Sequence, residues 1–244
     1  MFFLKFLNFL LSRIDGLFFS LPVILTYHSV SDGKTPISVT VANFEKQMAF
    51  LKESGLRVIS IKDFFSLKEQ RSKEKSILIT FDDAFKDVFL NALPILKKYN
   101  FPAVVFINPL LLGKKADFAT REEDRGREIC SFSDLRQLEE NGVAIANHGY
   151  SHKQLSGLSE LEAVSEYKNT FDFIKENLSK NAYPNVFVFP KGAKNEEVKT
   201  LLKTKGAEIL DRRVDIYSDT SLFGFVLKLS AFYFWLKKKV FLIK

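Results

Sequence analysis

Three histidines and a pair of adjacent aspartates carry most of the chemistry open to this 244-residue chain. His148 and His152 form a His-Gly-Tyr-Ser-His unit whose imidazoles, four residues apart, can face one point from a helical turn or a tight loop. With one carboxylate they make a three-ligand site that leaves coordination positions open, as catalytic rather than structural zinc sites do. Asp82-Asp83 supplies that carboxylate and a spare. Neighbouring residues on an extended chain point in opposite directions, so both aspartates reach one site only if the chain bends after Phe81. Other hydrolytic signatures are absent. Gly149 after the first histidine excludes a His-Glu-x-x-His base, and neither a Gly-x-Ser-x-Gly elbow nor a phosphate-binding Gly-x4-Gly-Lys loop occurs.

The elements that would position these groups follow from the apolar runs. Val23–Tyr27, Arg57–Ser60, Ser76–Phe81, Ala103–Ile107, Val143–Ala146 and Val186–Phe189 read as strands. Between them lie helical spacings at Phe44, Met48 and Leu51, at Leu135 and Leu138, and from Val164 to Leu178, the last opening on a Ser159-x-x-Glu162 capping box. Pro94 suits the start of another helix and Gly206 the end of a later one. Strands alternating with helices at this spacing predict parallel strands joined by crossovers, an α/β fold. An open sheet and a closed barrel both fit that pattern. Four apolar runs end in polar, chemically capable residues: Tyr27-His28, Asp82-Asp83, Asn147-His148 and Pro190-Lys191. All four are carboxyl ends, which converge on one rim in a barrel and spread apart in an open sheet.

Composition narrows the class. With 46% hydrophobic and 27% charged residues the chain can bury a core, and its length suits one domain. The single cysteine, Cys130, rules out an internal disulfide and permits a reducing compartment. The net charge of +7 favours anionic surfaces without choosing among them. Many of the 26 phenylalanines crowd the two ends, mixed with lysines. Neither end offers the roughly 20 apolar residues of a membrane span. Arg13 and Asp15 interrupt the first segment and no Ala-x-Ala cleavage site follows, so export is not expected. The ends suit either attachment at a lipid interface or packing against the domain.

At these residues the sequence resembles the polysaccharide deacetylases of carbohydrate esterase family 4, the NodB-homology group, from about Val23 to about Lys205. Ile79-Thr-Phe-Asp-Asp-Ala-Phe-Lys-Asp is similar to the first family motif, Asn147-His-Gly-Tyr-Ser-His-Lys-Gln-Leu to the second and Phe187-Val-Phe-Pro-Lys-Gly to the third. The resemblance implies a distorted (β/α)7 TIM-like barrel. It also implies metal-dependent removal of an N-acetyl group from an amino sugar of a cell-envelope polysaccharide or lipid-linked glycan precursor. It makes Asp83, His148 and His152 the ligands of a divalent metal ion, zinc by first choice, and Asp82 the general base. The metal polarises the acetamide carbonyl and lowers the pKa of its water, while a backbone N–H near Lys191 helps hold the oxyanion. Tyr27 and Pro190 are expected beside the substrate.

The commoner family pattern takes its general acid from a late histidine, but no histidine follows His152. The Leu25-Thr-Tyr-His-Ser-Val segment resembles a branch, which includes deacetylases of poly-N-acetylglucosamine, where an N-terminal Tyr-His enters the site; His28 then becomes the acid. Gly149 stands where Thr or Ser is usual and Lys191 where Tyr is usual, and Arg212 or Arg213 would match an arginine that orients the base. The run after Lys205 is shorter than in relatives, so a barrel strand could be missing. The expected organisation is an amphipathic segment over 1–20, a deacetylase domain over 21–220 and a basic aromatic helix over 221–244. The expected location is cytoplasmic with peripheral membrane contact, and the partner an N-acetylated glycan with no nucleic acid. Competing readings are a deformylase or other amidase on a lipid-linked amino sugar, a non-catalytic glycan- or membrane-binding relative, and a non-haem iron oxygenase, which would leave Asp82 without a role.

Overall fold

The apolar runs become strands close to where their β-branched and aromatic content predicts them. The structure, a computed structural model, describes residues 22–33, 35–70, 76–117, 119, 122–192, 195–210, 213–216, 224, 225 and 228. In chain order the elements are β1 (Val23–Tyr27), β2 (Ser29–Val30), β3 (Ser38–Val39), α1 (Val41–Glu53), β4 (Arg57–Val58), α2 (Ile61–Glu69), β5 (Ser76–Phe81), α3 (Leu93–Tyr99) and β6 (Val104–Ile107). Then come α4 (Phe132–Glu140), β7 (Ala144–Asn147), α5 (Glu160–Asn177), β8 (Ala182–Phe187), α6 (Glu196–Thr204), β9 (Glu208–Ile209) and β10 (Arg213–Asp215).

The main sheet runs β10-β1-β5-β6-β7-β8-β9, with β4 added beside the start of β5, and every ladder is parallel. That is barrel order, since successive strands are neighbours and the last returns to the first. Among the described residues no ladder joins β9 to β10, so the result is a curled half-barrel with an open seam, a distorted (β/α)7 barrel. The short C-terminal region explains the seam. Only three residues separate β9 from β10, whereas a parallel crossover takes about a dozen. The chain pairs first with β8 and then directly with β1, where Ile216 N–H donates to the Thr26 carbonyl at 2.8 Å.

Side-chain alternation divides the core in two. Ile24, Leu78, Val104, Phe106, Ala144, Ala146, Val186 and Val188 form one cluster inside the barrel, joined by Ile61 and Phe64 of α2. Because β4 pairs with the first residues of β5, α2 lies across the end where the strands begin. Val23, Leu25, Tyr27, Ile77, Ile79, Phe81, Val105 and Ile145 point the other way, beneath helices that include α1 and α4. This period of two decides which strand-end residues enter the site.

The Ser159–Glu162 capping box forms at the head of α5 as predicted, and Gly206 ends α6 with φ 89°. The helix containing Pro94 begins earlier than Pro94 predicts, in a wide π-helical turn over Val88–Ala92 that runs into α3. Pro94 has no N–H and its ring crowds the carbonyl four residues back, a conflict that a wider turn accommodates. Residues 1–20 and Arg212 lie outside the described residues, as does most of 221–244. Within the latter, Phe225 is fully buried and meets Phe50 of α1 edge-on at 6.2 Å, which is packing against the domain. No helix among the described residues is long and apolar enough to cross a membrane.

Candidate functional site

The interior alternation of Ile24 and Thr26 continues to His28, that of Leu78 and Thr80 to Asp82, and that of Ala144 and Ala146 to His148. All three line one cavity of about 430 Å³ at the carboxyl ends of the strands. Asp83 should point outward by the same rule. It does not, because Asp83 and Ala84 both adopt left-handed backbone, φ 68° and 53°, and this is the bend after Phe81 that the sequence requires. Such conformations cost non-glycine residues of order 1–3 kcal/mol and persist where surrounding contacts fix them.

Asp83 Oδ1 lies 3.0 Å from His152 Nε2 and 3.3 Å from His148 Nε2. One donor atom from each of the three residues falls within 4.8 Å of the others, and all three side chains are buried. His148 Nδ1 is 3.1 Å from the Val188 carbonyl, which makes Nδ1 the donor and leaves the Nε2 lone pair facing Asp83. The His148–His152 loop is fixed from both sides. Asn108 Nδ2 donates to the carbonyls of His148 and Gly149 at 2.7 and 2.9 Å, and Glu166 accepts the Ser151 N–H at 2.8 Å and the Ser151 hydroxyl. Gly149 has φ 79°, and a Cβ there would stand 3.5 Å from Glu166 Oε2 and from Pro190 Cγ. The turn therefore asks for glycine because of its backbone rather than for lack of room. His152 is also left-handed, φ 59°.

Asp83 Oδ1 is buried and makes no hydrogen bond. A buried carboxylate oxygen aimed at two imidazole nitrogens is a donor set that a divalent cation satisfies, so the residues fit the metal that the motifs imply. Burial alone would raise the Asp83 carboxyl, but His152 and His148 hold it well below the usual carboxylate range. Asp82 is likewise raised by burial and pulled down further by the Arg213 guanidinium, His148 and His28, so it is ionised at neutral pH. Arg213 Nη1 sits 2.7 Å from both Asp82 carboxylate oxygens. Burial lowers the His148 imidazole, but the Asp83 contact and the Asp82 charge outweigh it and leave it raised.

The remaining expected residues divide. His28, Lys191 and Arg213 line the cavity, Lys191 with φ 57°. Pro190 is buried under the histidine loop, outside the cavity lining. Tyr27 is a correction, because it is fully buried on the outer face of β1, packs on Phe44 and Phe81, and its hydroxyl donates to Gln47 Oε1 at 2.9 Å. Strand alternation that turns His28 inward must turn Tyr27 outward, so it cannot touch a substrate in this cavity. The sequence reading missed Asp215 and Asp124 on the cavity wall. Asp215 could have been found, since it is two residues from Arg213 and shares its face. Asp124 sits in a short 3-10 turn, where no periodicity marks it.

A family model described as polysaccharide deacetylase matches residues 69–210, more than half of the chain. The Bacillus subtilis protein YxkH, whose name assigns it provisionally to polysaccharide deacetylases, is 29% identical over 71% of this chain and 58% of its own length. A poly-β-1,6-N-acetyl-D-glucosamine N-deacetylase of Staphylococcus aureus is 25% identical over 69% of this chain and 59% of its own. The matches thus span less than two thirds of these relatives. Among solved structures, Streptococcus pyogenes deacetylase PplD in complex with acetate superposes with a TM-score of 0.69 at 19% identity, covering 84% of this chain and 96% of that one. IcaB from Ammonifex degensii gives 0.68 at 20% identity, covering 89% and 98%. At these identities the structures establish the shared fold.

Proposed function

The chain belongs to the polysaccharide deacetylase family, and from that membership we propose that it hydrolyses the N-acetyl group of an amino sugar in a cell-envelope polysaccharide or lipid-linked glycan precursor. The observation that carries the reading is the buried Asp83–His148–His152 set, with Asp82 beside it in one cavity. Asp83, His148 and His152 would hold a divalent cation, zinc by its preference for nitrogen and carboxylate donors. When bound, the cation supplies carbonyl polarisation and an acidified water.

The chain's own residues do the rest. Asp82 takes a proton from the attacking water, and Arg213 keeps it ionised and aimed. His28, on the same wall, gives a proton to the departing nitrogen as the C–N bond breaks, so that acetate and a free amine leave. The Lys191 backbone N–H is the donor assigned to the carbonyl oxygen. A cytoplasmic location with peripheral membrane contact remains part of the proposal, supported by the basic aromatic ends.

The test is elemental analysis after zinc loading and removal of excess, paired with acetate release from N-acetylglucosamine oligomers. About one equivalent of zinc is expected, lost together with acetate release in His148→Ala/His152→Ala. Zinc retained by the double variant would break the ligand assignment, and a wild type that binds zinc but releases no acetate from any acylated amino sugar would break the activity.

A further inference from the structure

Arg127 is absent from every motif above, yet its side chain is only 16% exposed and its guanidinium contacts four separate polar side chains. Nη2 donates to Asp87 Oδ2 at 2.6 Å and to the Ser29 hydroxyl, while Nη1 donates to Thr35 Oγ1 at 3.1 Å and to Asp124 Oδ1 at 3.0 Å. Its Cζ lies 4.5 Å from the centre of the Phe85 ring. Ser29 is the residue after His28, and Thr35 lies on the excursion between β2 and β3 that follows it. Asp87 is four residues past Asp83 and also accepts the Val30 N–H at 3.0 Å and the Ser29 hydroxyl at 3.0 Å. One guanidinium therefore ties the segment after His28 to Asp87, which opens the helical turn following Asp82 and Asp83. β1 ends at Tyr27, whose carbonyl accepts the Asp82 N–H at 2.9 Å, so the ladder reaches the residue before His28 and the side-chain ties to Ser29 and Thr35 act just beyond it.

We infer that Arg127 is a positioning residue that holds His28 at the distance from the Asp82–Asp83 turn at which it can protonate a leaving amine. The inference rests on the proposed role of His28. Lysine cannot replace it, since a point charge on a flexible stem does not span four acceptors that a planar five-donor fork reaches.

The experiment compares Arg127→Lys, which keeps the charge, and Arg127→Met with wild-type protein loaded with zinc. Hydrogen exchange should quicken in peptides covering residues 28–39 and stay unchanged over 144–152, with zinc stoichiometry intact. Turnover of an N-acetyl sugar should fall about 10- to 100-fold with KM within about twofold, the usual size of an orienting contact. Hydrolysis of an aryl acetate, whose leaving group departs without a proton, should fall far less, and guanidinium ion should restore part of the amide rate in Arg127→Met. Unchanged exchange over 28–39 in both variants overturns the inference, as does an equal loss on amide and aryl ester, which would mark Arg127 as merely structural. Should Arg127→Met not fold, Arg127→Lys decides by the same readouts. A wild type inactive on every acylated sugar would end the proposed function, and the exchange pattern would still decide whether Arg127 holds the His28 turn.

Discussion

His148 follows a strand paired on both sides, between β6 and β8, whereas Arg213 stands on a three-residue strand whose only ladder among the described residues is with β1. The two residues serve one cavity from opposite sides of the open seam. On the His148 side, position is set by backbone: a continuous sheet, left-handed turns at Asp83 and His152, and amide or carboxylate groups gripping the loop carbonyls and N–H groups. On the Arg213 side it is set by a three-residue ladder with β1 and the Ile216 N–H to Thr26 carbonyl bond, joined by side chains: the Asp82 pair, Phe225 on Phe50, and Lys228 Nζ 3.2 Å from the Asp215 carbonyl. The difference teaches that the proposed metal ligands His148 and His152 and the proposed base-orienting Arg213 stand on largely separate supports that meet at the Asp82–Asp83 turn, so damage to one support should largely spare the other.

The sharpest way to break that separation is Asp82→Asn. Zinc should remain at about one equivalent while deacetylation falls by about 10²- to 10⁴-fold, the usual worth of a general base; zinc lost along with activity would merge the two sides. Phe225→Ala should cost about 3–5 kcal/mol in urea unfolding, as for a fully buried phenylalanine, and the proton-transfer side should fail first. That order is read by activity vanishing at lower urea than zinc release. Arg213→Met should lower activity by about 10- to 100-fold with zinc retained. Because Arg213 depresses Asp82, the acid limb of kcat/KM should move to higher pH in this variant. An unmoved limb would detach Arg213 from the base.

The smallest effect lies away from the cavity. Asp134 is raised by burial but brought below its usual value by Lys86, 2.6 Å away, and by Ser131 at the head of α4. A depressed carboxyl stabilises the fold above its unfolded pKa and loses that contribution as pH falls through the folded value. Lys86→Met should therefore weaken the protein by roughly 1 kcal/mol or less at pH 7, with the gap to wild type closing as acid protonates Asp134. A gap that persists at the acid end would assign the loss to packing of Lys86 on Phe89 instead.

The candidate metal set Asp83, His148 and His152 was legible because its residue types and spacings stand at strand ends, and strand ends are marked by apolar runs. Tyr27 was misplaced although the signal was present, since alternation along β1 separates it from His28. Gly149 departs from the family pattern at a φ of 79°, which glycine adopts without the strain a side chain would bring. Arg127 and Asp124 were invisible, because their loop has no period and Arg127's partners Asp87 and Ser29 lie 40 and 98 positions away.

By itself the sequence determined the parallel α/β order, the strand ends bearing Asp82, Asp83, His148 and His152, and the family. Those follow from local periodicity and from residue types that only a few chemistries use together. The tertiary structure decided which of two neighbouring strand-end residues faces the cavity, how a short C-terminal run spans the barrel seam, and that Arg213 reaches Asp82 across 131 positions of chain. Such contacts depend on how strands curl and where a seam is left open, and no local pattern of residues encodes that geometry.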